Sequence, residues 1–349
     1  MSPVLVSILS AVIAFCVSLW THPFILKLAK KKHITDDPDA RKLQESPVPV
    51  MGGIVVGFGI LAAVLFARCF TECTDILPAL LSAILMLNIG FIDDTISLSP
   101  KVRFAVEILL SLLLLGNGFV IQDFHGLFGV HRIPYMIAFP LTLVTVVGII
   151  NAINLIDGID GLSTELCIFS AAVSGALEFR EGNLFFFLLA LAVISLLVTF
   201  LFFNFQKDEH RKMFMGDTGC WTLGVVCVFL ALHAGQNHPV HPDSKYLLVA
   251  LSPLLVPLMD MARVALFRVT HGISVVRPDN NHIHHLLLKA GLTVRQTRLA
   301  ILGVTVFHTV MNAFLVHWIP MGWLFLGEVA VILAGILWVN ARYARVDNT

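Results

Sequence analysis

Five aspartates in three short stretches and three histidines in a fourth stand out from an otherwise apolar chain. Asp93 and Asp94 close the segment GFIDD; Asp157 and Asp160 lie with Asn151 and Asn154 in NAINLIDGIDGL; Asp217 lies in FMGDTG; His282, His284 and His285 lie in PDNNHIHH. Carboxylates held at the ends of apolar segments cost desolvation and repel one another, and a divalent cation or a basic group offsets both. Hard oxygen donors suit Mg²⁺, while imidazoles donate hydrogen bonds to a pyrophosphate. The residue types therefore point to phosphate chemistry at a hard metal ion.

Each stretch also has a plainer reading. Asp93 and Asp94 are adjacent, so in a helix they point about 100° apart, and a solvated helix end accounts for them taken alone. The three-residue recurrence of Asn151, Asn154, Asp157 and Asp160 is harder to explain as a cap. Gly158 and Gly161 after each Asp permit a turn and close approach of a ligand to the backbone. Asp217 stands where a helix N-cap would stand. With Phe214 three residues upstream, a flat base could stack beside a carboxylate that holds a metal. Zinc is the alternative for the histidines, but no cysteine is close to them and HExxH is absent. Arg268 and Arg277 lie near that loop. Asp260 and Arg263, three residues apart, read as an intramembrane pair. Neither a Walker lysine loop nor a dinucleotide fingerprint is present.

The elements that must carry these groups are membrane helices. Of 349 residues, 57% are hydrophobic and 13% charged, and the mean hydropathy is +0.87. So few charges cannot cover the surface of a water-soluble fold of this size, which excludes a cytosolic enzyme, a secreted domain and a disordered chain. The 23 basic and 23 acidic residues balance, so no nucleic acid is expected as a partner. Eleven apolar segments approach the roughly 20 residues needed to cross a bilayer: residues 3 to 26, 50 to 68, 76 to 92, 104 to 121, 134 to 154, 162 to 178, 184 to 204, 218 to 235, 247 to 266, 299 to 317 and 320 to 341. With the N-terminus outside and the C-terminus cytoplasmic, 18 Lys and Arg fall inside and 4 outside, the positive-inside pattern. The first segment lacks a basic n-region and a cleavage site, so it reads as a retained helix. The expected architecture is a single all-α polytopic integral membrane domain over residues 1–349. Its cytoplasmic loops are about 27–49, 93–103, 155–161, 205–217 and 267–298, the last long enough for a short amphipathic element. All four polar stretches then meet one membrane boundary. The six cysteines show no metal-ligand spacing; Cys69 and Cys73 could pair if their loop is extracytoplasmic.

GFIDD with the following LS, NAINLIDGIDGL, Asn204 before FMGDTG, Asp260 with Arg263, and PDNNHIHH occur in this order, and RKLQESPVPVMGG precedes them. Together they resemble the polyprenyl-phosphate N-acetylhexosamine-1-phosphate transferases over roughly residues 15 to 300. The HIHH form resembles the bacterial branch that starts O-antigen, enterobacterial common antigen or teichoic-acid linkage units rather than the peptidoglycan branch. The chain departs from the common pattern at Gln44 (often His), Ser97 (Asp in some relatives), Glu107 (often Gln) and Cys220 (often Ser).

The resemblance implies transfer of N-acetylglucosamine 1-phosphate from a UDP-amino sugar to undecaprenyl phosphate, releasing UMP. Another UDP-amino sugar or phospho-N-acetylmuramoyl-pentapeptide is the alternative donor, and a transporter of anionic sugar or lipid is the alternative of another class. It implies Mg²⁺, with Mn²⁺ able to replace it, held by Asp217 and Asp93. Asp93, Asp94, Asp157 and Asp160 are the expected catalytic residues. Asp94 would activate or orient the lipid phosphate; Asp157 and Asp160 would orient nucleotide and sugar. Lys101, Asn154, Asn204, Phe214, Arg263, Arg268, His282, His284 and His285 are the expected substrate-binding residues, with Phe214 stacked on uracil. Arg103, beside Lys101, is a further cation for the lipid phosphate. The expected location is a bacterial cytoplasmic membrane with the site facing the cytoplasm, and the reading leaves room for a homodimer.

Overall fold

The computed structural model describes residues 2–38, 44, 46–70, 76–208, 211–236, 246–275, 277 and 280–347. Among them are helices α1 (Pro3–Lys32), α2 (Gly52–Arg68), α3 (Ile76–Ile96), α4 (Pro100–Gly116), α5 (Tyr135–Ile156), α6 (Leu162–Glu181), α7 (Leu184–Asn204), α8 (Gly216–Gln236), α9 (Tyr246–Thr270), α10 (Ile283–Lys289), α11 (Val294–Leu315) and α12 (Met321–Asp347). The all-α polytopic reading holds. Nine of these helices, all but α2, α4 and α10, are long and apolar enough to cross a membrane. The other two apolar segments expected to span form α2 and α4, each of 17 residues. At 1.5 Å per residue that is about 26 Å, the short end of what a bilayer core requires.

The helices outrun the apolar segments that announce them. α1 continues through Lys30, Lys31 and Lys32, α3 carries Asp93 and Asp94 in its last turns, and α8 begins at Gly216. Hydropathy stops at the first charge, whereas backbone hydrogen bonding continues until a cap ends it. The loops expected at 27–49 and 93–103 are accordingly shorter, and Ser99 is the N-cap of α4 just after α3 ends. The loop expected over 267–298 holds the end of α9, the short α10 and the start of α11, where Thr293 and Gln296 form a capping box. Two antiparallel hairpins were not foreseen: β1 (Thr35–Asp36) with β2 (Val48–Pro49), and β3 (Asp123–Leu127) with β4 (Val130–Arg132). Cys73 lies outside the described residues, and with it the question of its pairing with Cys69.

α8 is the axis of the molecule. It is enclosed by α2, α3, α5, α6 and α9, and its apolar window is wholly buried. A helix apolar on every side belongs there. Helices gain little hydrophobic drive to associate within lipid, so close packing depends on small residues. A Cβ on Gly53 of α2 would lie 2.2 Å from the Gly219 backbone nitrogen of α8, and one on Gly90 of α3 would lie 2.5 Å from Thr218 Cα. The two glycines let α2 and α3 seat their backbones against the first turn of α8.

Gly53→Ala should therefore push α2 off α8 and destabilise the fold by about 1–3 kcal/mol, read as a lower unfolding midpoint in detergent by circular dichroism. Gly335→Ala in α12, where a Cβ would meet nothing within 4 Å, should leave the midpoint unchanged or raised. Equal midpoints for the two variants would refute this packing argument.

Candidate active site

The ends of α3, α4, α5, α7 and α8, with β1 and α10, surround a cavity of about 770 Å³. Its acidic end is built by α3. Asp93 and Asp94 diverge as adjacent helical residues must. Asp93 Oδ1 accepts the Leu98 amide at 2.7 Å and meets Arg103 Nε at 2.8 Å. Asp94 turns to α8 and takes two amides of its first turn, Asp217 N–H at 2.9 Å and Thr218 N–H at 3.0 Å, with the Thr218 hydroxyl as a third donor. Helix N-termini leave amide donors unmatched, and an anion there is favoured by the helix dipole. Asp94 is thus the cap of the central helix, and the capping role weighed for Asp217 belongs to it. Arg103, on α4, also reaches Asp217 Oδ2 at 3.4 Å, so one guanidinium stands between the Asp93 and Asp217 carboxylates. Lys101 is exposed and off the cavity wall; Arg103, two residues on, lines it.

The segment NAINLIDGIDGL turns the chain from α5 into α6. Asn154 lines the cavity, whereas Asn151 bonds the buried Glu107 of α4 and so serves helix packing. Asp157 ends α5 and receives hydrogen bonds from the Ser163 hydroxyl and, at 3.1 Å, from the Cys220 thiol. Crowding by protein raises its carboxyl to about 6, against the two hydrogen bonds, with Asp160 adding to the rise. Asp160 pairs with Lys212 at 2.6 Å. The backbone carbonyl of Asp160 takes a bond from Arg298, which also pairs with Glu165 at 3.0 Å and lies 4.3 Å over the Phe205 ring. The glycines are used differently from the sequence expectation. The space a Cβ would take at Gly158 is filled by the His284 ring, and that at Gly161 by the Phe205 ring, so protein side chains make the close approach.

Opposite lies the segment leading into α8. Phe214 N–H donates to Pro49 O, and Gly52 and Gly53 donate their amides to Phe214 O and Met215 O. This lacing supplies the unmatched amides of α2 and fixes the backbone of Phe214. Gly216 adopts φ +71, and a Cβ there would lie 2.3 Å from Val50 O, so the turn into α8 demands glycine. Lys212 Nζ lies 5.0 Å over the Phe214 ring. Asn204, at the end of α7, donates to Met213 O at 3.1 Å, while its buried Oδ1 has no hydrogen-bond partner and its side chain borders the cavity.

The histidine stretch is divided in its use. Asp260 Oδ1 accepts Arg263 at 2.7 Å and the Ile283 amide at 3.0 Å, and its Oδ2 meets His282 Nδ1 at 2.8 Å. The expected Asp260–Arg263 pair is present and anchors the start of α10. Arg268 is buried and donates to Val275 O. His285 lines the cavity with Asn280, whereas Arg263, Arg268, His282 and His284 do not. His284 is buried with both ring nitrogens unpartnered, and burial, then its neighbours His285 and His282, push it down to about 3. It is a neutral wedge against Gly158. Arg103, Lys212 and Arg298 are the site residues least visible beforehand. Arg103 and Lys212 figured only in the topology count or as a boundary cation, because a cation's partner across helices leaves no mark in local spacing.

Among the described residues no group of three or more His, Cys, Asp and Glu is arranged to hold a metal ion. Asp93 and Asp217 offer two carboxylates with a guanidinium already between them. Mg²⁺ commonly takes one or two carboxylates and completes its shell with water and substrate phosphates, so the pair fits that ion once the Arg103 guanidinium moves aside.

Residues 76–235 match the family described as Glycosyl transferase family 4. The chain is 33% identical over 295 residues to a probable undecaprenyl-phosphate N-acetylglucosaminyl 1-phosphate transferase of Bacillus subtilis (strain 168), an alignment covering 83% of this chain and 80% of that protein. It is 33% identical over 304 residues to the undecaprenyl-phosphate alpha-N-acetylglucosaminyl 1-phosphate transferase of Haemophilus influenzae, covering 85% and 83%. For the enzyme of that name from Yersinia pestis the identity is 30% over 277 residues, covering 77% and 73%. Taken with the ordered motifs and the helical membrane fold, these alignments show that the chain belongs to the polyprenyl-phosphate N-acetylhexosamine-1-phosphate transferase family.

Proposed function

We propose that this protein transfers N-acetylglucosamine 1-phosphate from UDP-N-acetylglucosamine to undecaprenyl phosphate, releasing UMP and forming the first lipid-linked intermediate of a cell-surface polysaccharide. The observation that carries the reading is the cavity itself. At one end of the membrane helices it joins a carboxylate pair bridged by Arg103 to a second end bearing Asn204, Phe214 and Lys212. A lipid acceptor accounts for the membrane fold, and a water-soluble donor accounts for a polar cavity at a helix boundary. The charge bias supports a site on the cytoplasmic face, and the bacterial relatives support an inner-membrane location.

In this reading a phosphate oxygen of undecaprenyl phosphate attacks the sugar-linked phosphorus of the donor. The bond from that phosphorus to the bridging oxygen breaks, and UMP leaves with the oxygen. The attacking phosphate is already ionised, so the protein's task is orientation rather than proton removal. Asp217 and Asp93 would hold Mg²⁺, or Mn²⁺ in its place, which supplies charge neutralisation as phosphates crowd together. Asp94 orients by fixing α8 and hence Asp217. Asn204 Oδ1, an unmatched buried acceptor, suits the imide N–H of uracil, and Phe214 offers a stacking surface. Asn154, Asp157 and Asp160 face the ribose or sugar hydroxyls. Arg103 takes the lipid-phosphate role given to Lys101, and His285 is the histidine placed to meet the diphosphate. His282 and His284, with Arg263 and Arg268, support it.

Detergent-solubilised protein with Mg²⁺, undecaprenyl phosphate and UDP-N-acetylglucosamine should yield UMP and undecaprenyl-pyrophosphoryl-N-acetylglucosamine, identified by mass. Product from another UDP-sugar would correct the donor. Release of UDP instead of UMP would contradict the chemistry, and no lipid product from any donor would favour transport. Asp217→Asn should lower turnover about 100-fold or more at an unchanged unfolding midpoint; normal turnover with the same Mg²⁺ dependence removes Asp217 from the metal. Tags at residues 1 and 349 should differ in accessibility to an impermeant reagent in intact cells, with residue 1 outside. Equal accessibility would overturn eleven crossings.

A further inference from the structure

Among the described residues, Asp157 is the cavity carboxylate that a sulfur holds. Its Oδ1 accepts the Ser163 hydroxyl from α6, and its Oδ2 accepts the Cys220 thiol from α8 at 3.1 Å. Cys220 is buried, one helical turn beyond Asp217 on the helix that Asp94 caps. The thiol therefore links two parts of the site that share no backbone: the 157–161 turn and the first turns of α8. The other titratable groups facing Asp157 are Asp160 in the same turn, itself paired with Lys212, Cys167 of α6, and the neutral His284 of α10 through Gly158.

We propose that Cys220 is a positioning residue, whose thiol hydrogen bond holds the Asp157 carboxylate ionised and aimed into the cavity while tying the 157–161 turn to α8. A thiol is a weaker donor than a hydroxyl. A hydrogen bond to the ionised carboxylate favours that form, so donor strength at residue 220 sets how far below neutrality Asp157 remains charged. Crowding already lifts its carboxyl to about 6, so removing the donor moves protonation toward neutral pH and strengthening it moves protonation down.

The pair can be read without turnover, while the kinetic arm rests on the transfer reaction proposed above. In the purified full chain, the infrared S–H stretching band lost in Cys220→Ala belongs to Cys220. That band should move in Asp157→Asn. In UMP-release assays the acid limb of kcat/KM should move up by roughly half a pH unit in Cys220→Ala and down in Cys220→Ser. Opposite displacements are what a purely structural role would not produce. An S–H band unchanged by Asp157→Asn, or three coincident acid limbs, would overturn the proposal. A responsive S–H band in a protein that releases no UMP would leave the pair standing and sink the transferase reading instead.

Discussion

The N-terminus of α8 is the constraint on which the site depends. α8 is buried from Thr218 onward at the centre of the bundle, and Met215 before it offers no capping oxygen, so its first amides need an acceptor from another element. Asp94 meets the need from α3. One ionic cap thereby fixes the register of α3 against α8, and Gly90 and Gly53 allow the backbones to come close enough for it. Asp93 is then turned the other way, toward Arg103, and Asp217 projects beside it. The acidic pair follows from the geometry of adjacent residues on one helix meeting the first turn of another.

This architecture also fixes the electrostatics. Among the described residues, six aspartates line the cavity, Asp36, Asp93, Asp94, Asp157, Asp160 and Asp217, against the full cations Arg103 and Lys212. Asp94 is met by the N-terminus of α8, Asp160 by Lys212, and Asp93 and Asp217 share Arg103, one cation for two carboxylates. A cation that comes with an anionic substrate, or a pair that opens to receive it, eases its entry into such a cavity. The carboxylates and a phosphate-bearing substrate are compatible in that way, which is the physical reason a divalent ion belongs in the reading.

What was legible in the sequence is what short-range pattern encodes. Apolar run length located every long helix, and the Asp and Asn spacing located the turn after α5 and the end of α3. The charged helix ends were cut short because hydropathy sees Lys30 or Asp93 as an exit from the membrane while the hydrogen-bonded backbone does not stop there. The β1–β2 hairpin was illegible because its two-residue strands carry no periodicity. The histidine stretch reads as one cluster, but α10 sends His285 to the cavity and His284 inward. Gly158 and Gly161 signalled close approach correctly and could not say of what.

Buried polar groups elsewhere separate packing from function. Near the far ends of α6 and α8, Glu178 has both oxygens met, by His233 at 2.6 Å and Asn183 at 2.8 Å, and it reads as a clasp between helices. Ser252, Asn312 and Glu328 clasp α9, α11 and α12, yet leave one Glu328 oxygen without a partner. An unmatched atom alone is therefore no mark of a site. Asn204 differs because its unmatched oxygen belongs to a side chain on a cavity wall that Phe214 shares. An unsatisfied buried acceptor is costly, and only where a ligand can reach it does binding recover that cost. The conjunction of unmet atom and open volume makes the α7–α8 junction a recognition surface, while the outer polar clusters hold helices together.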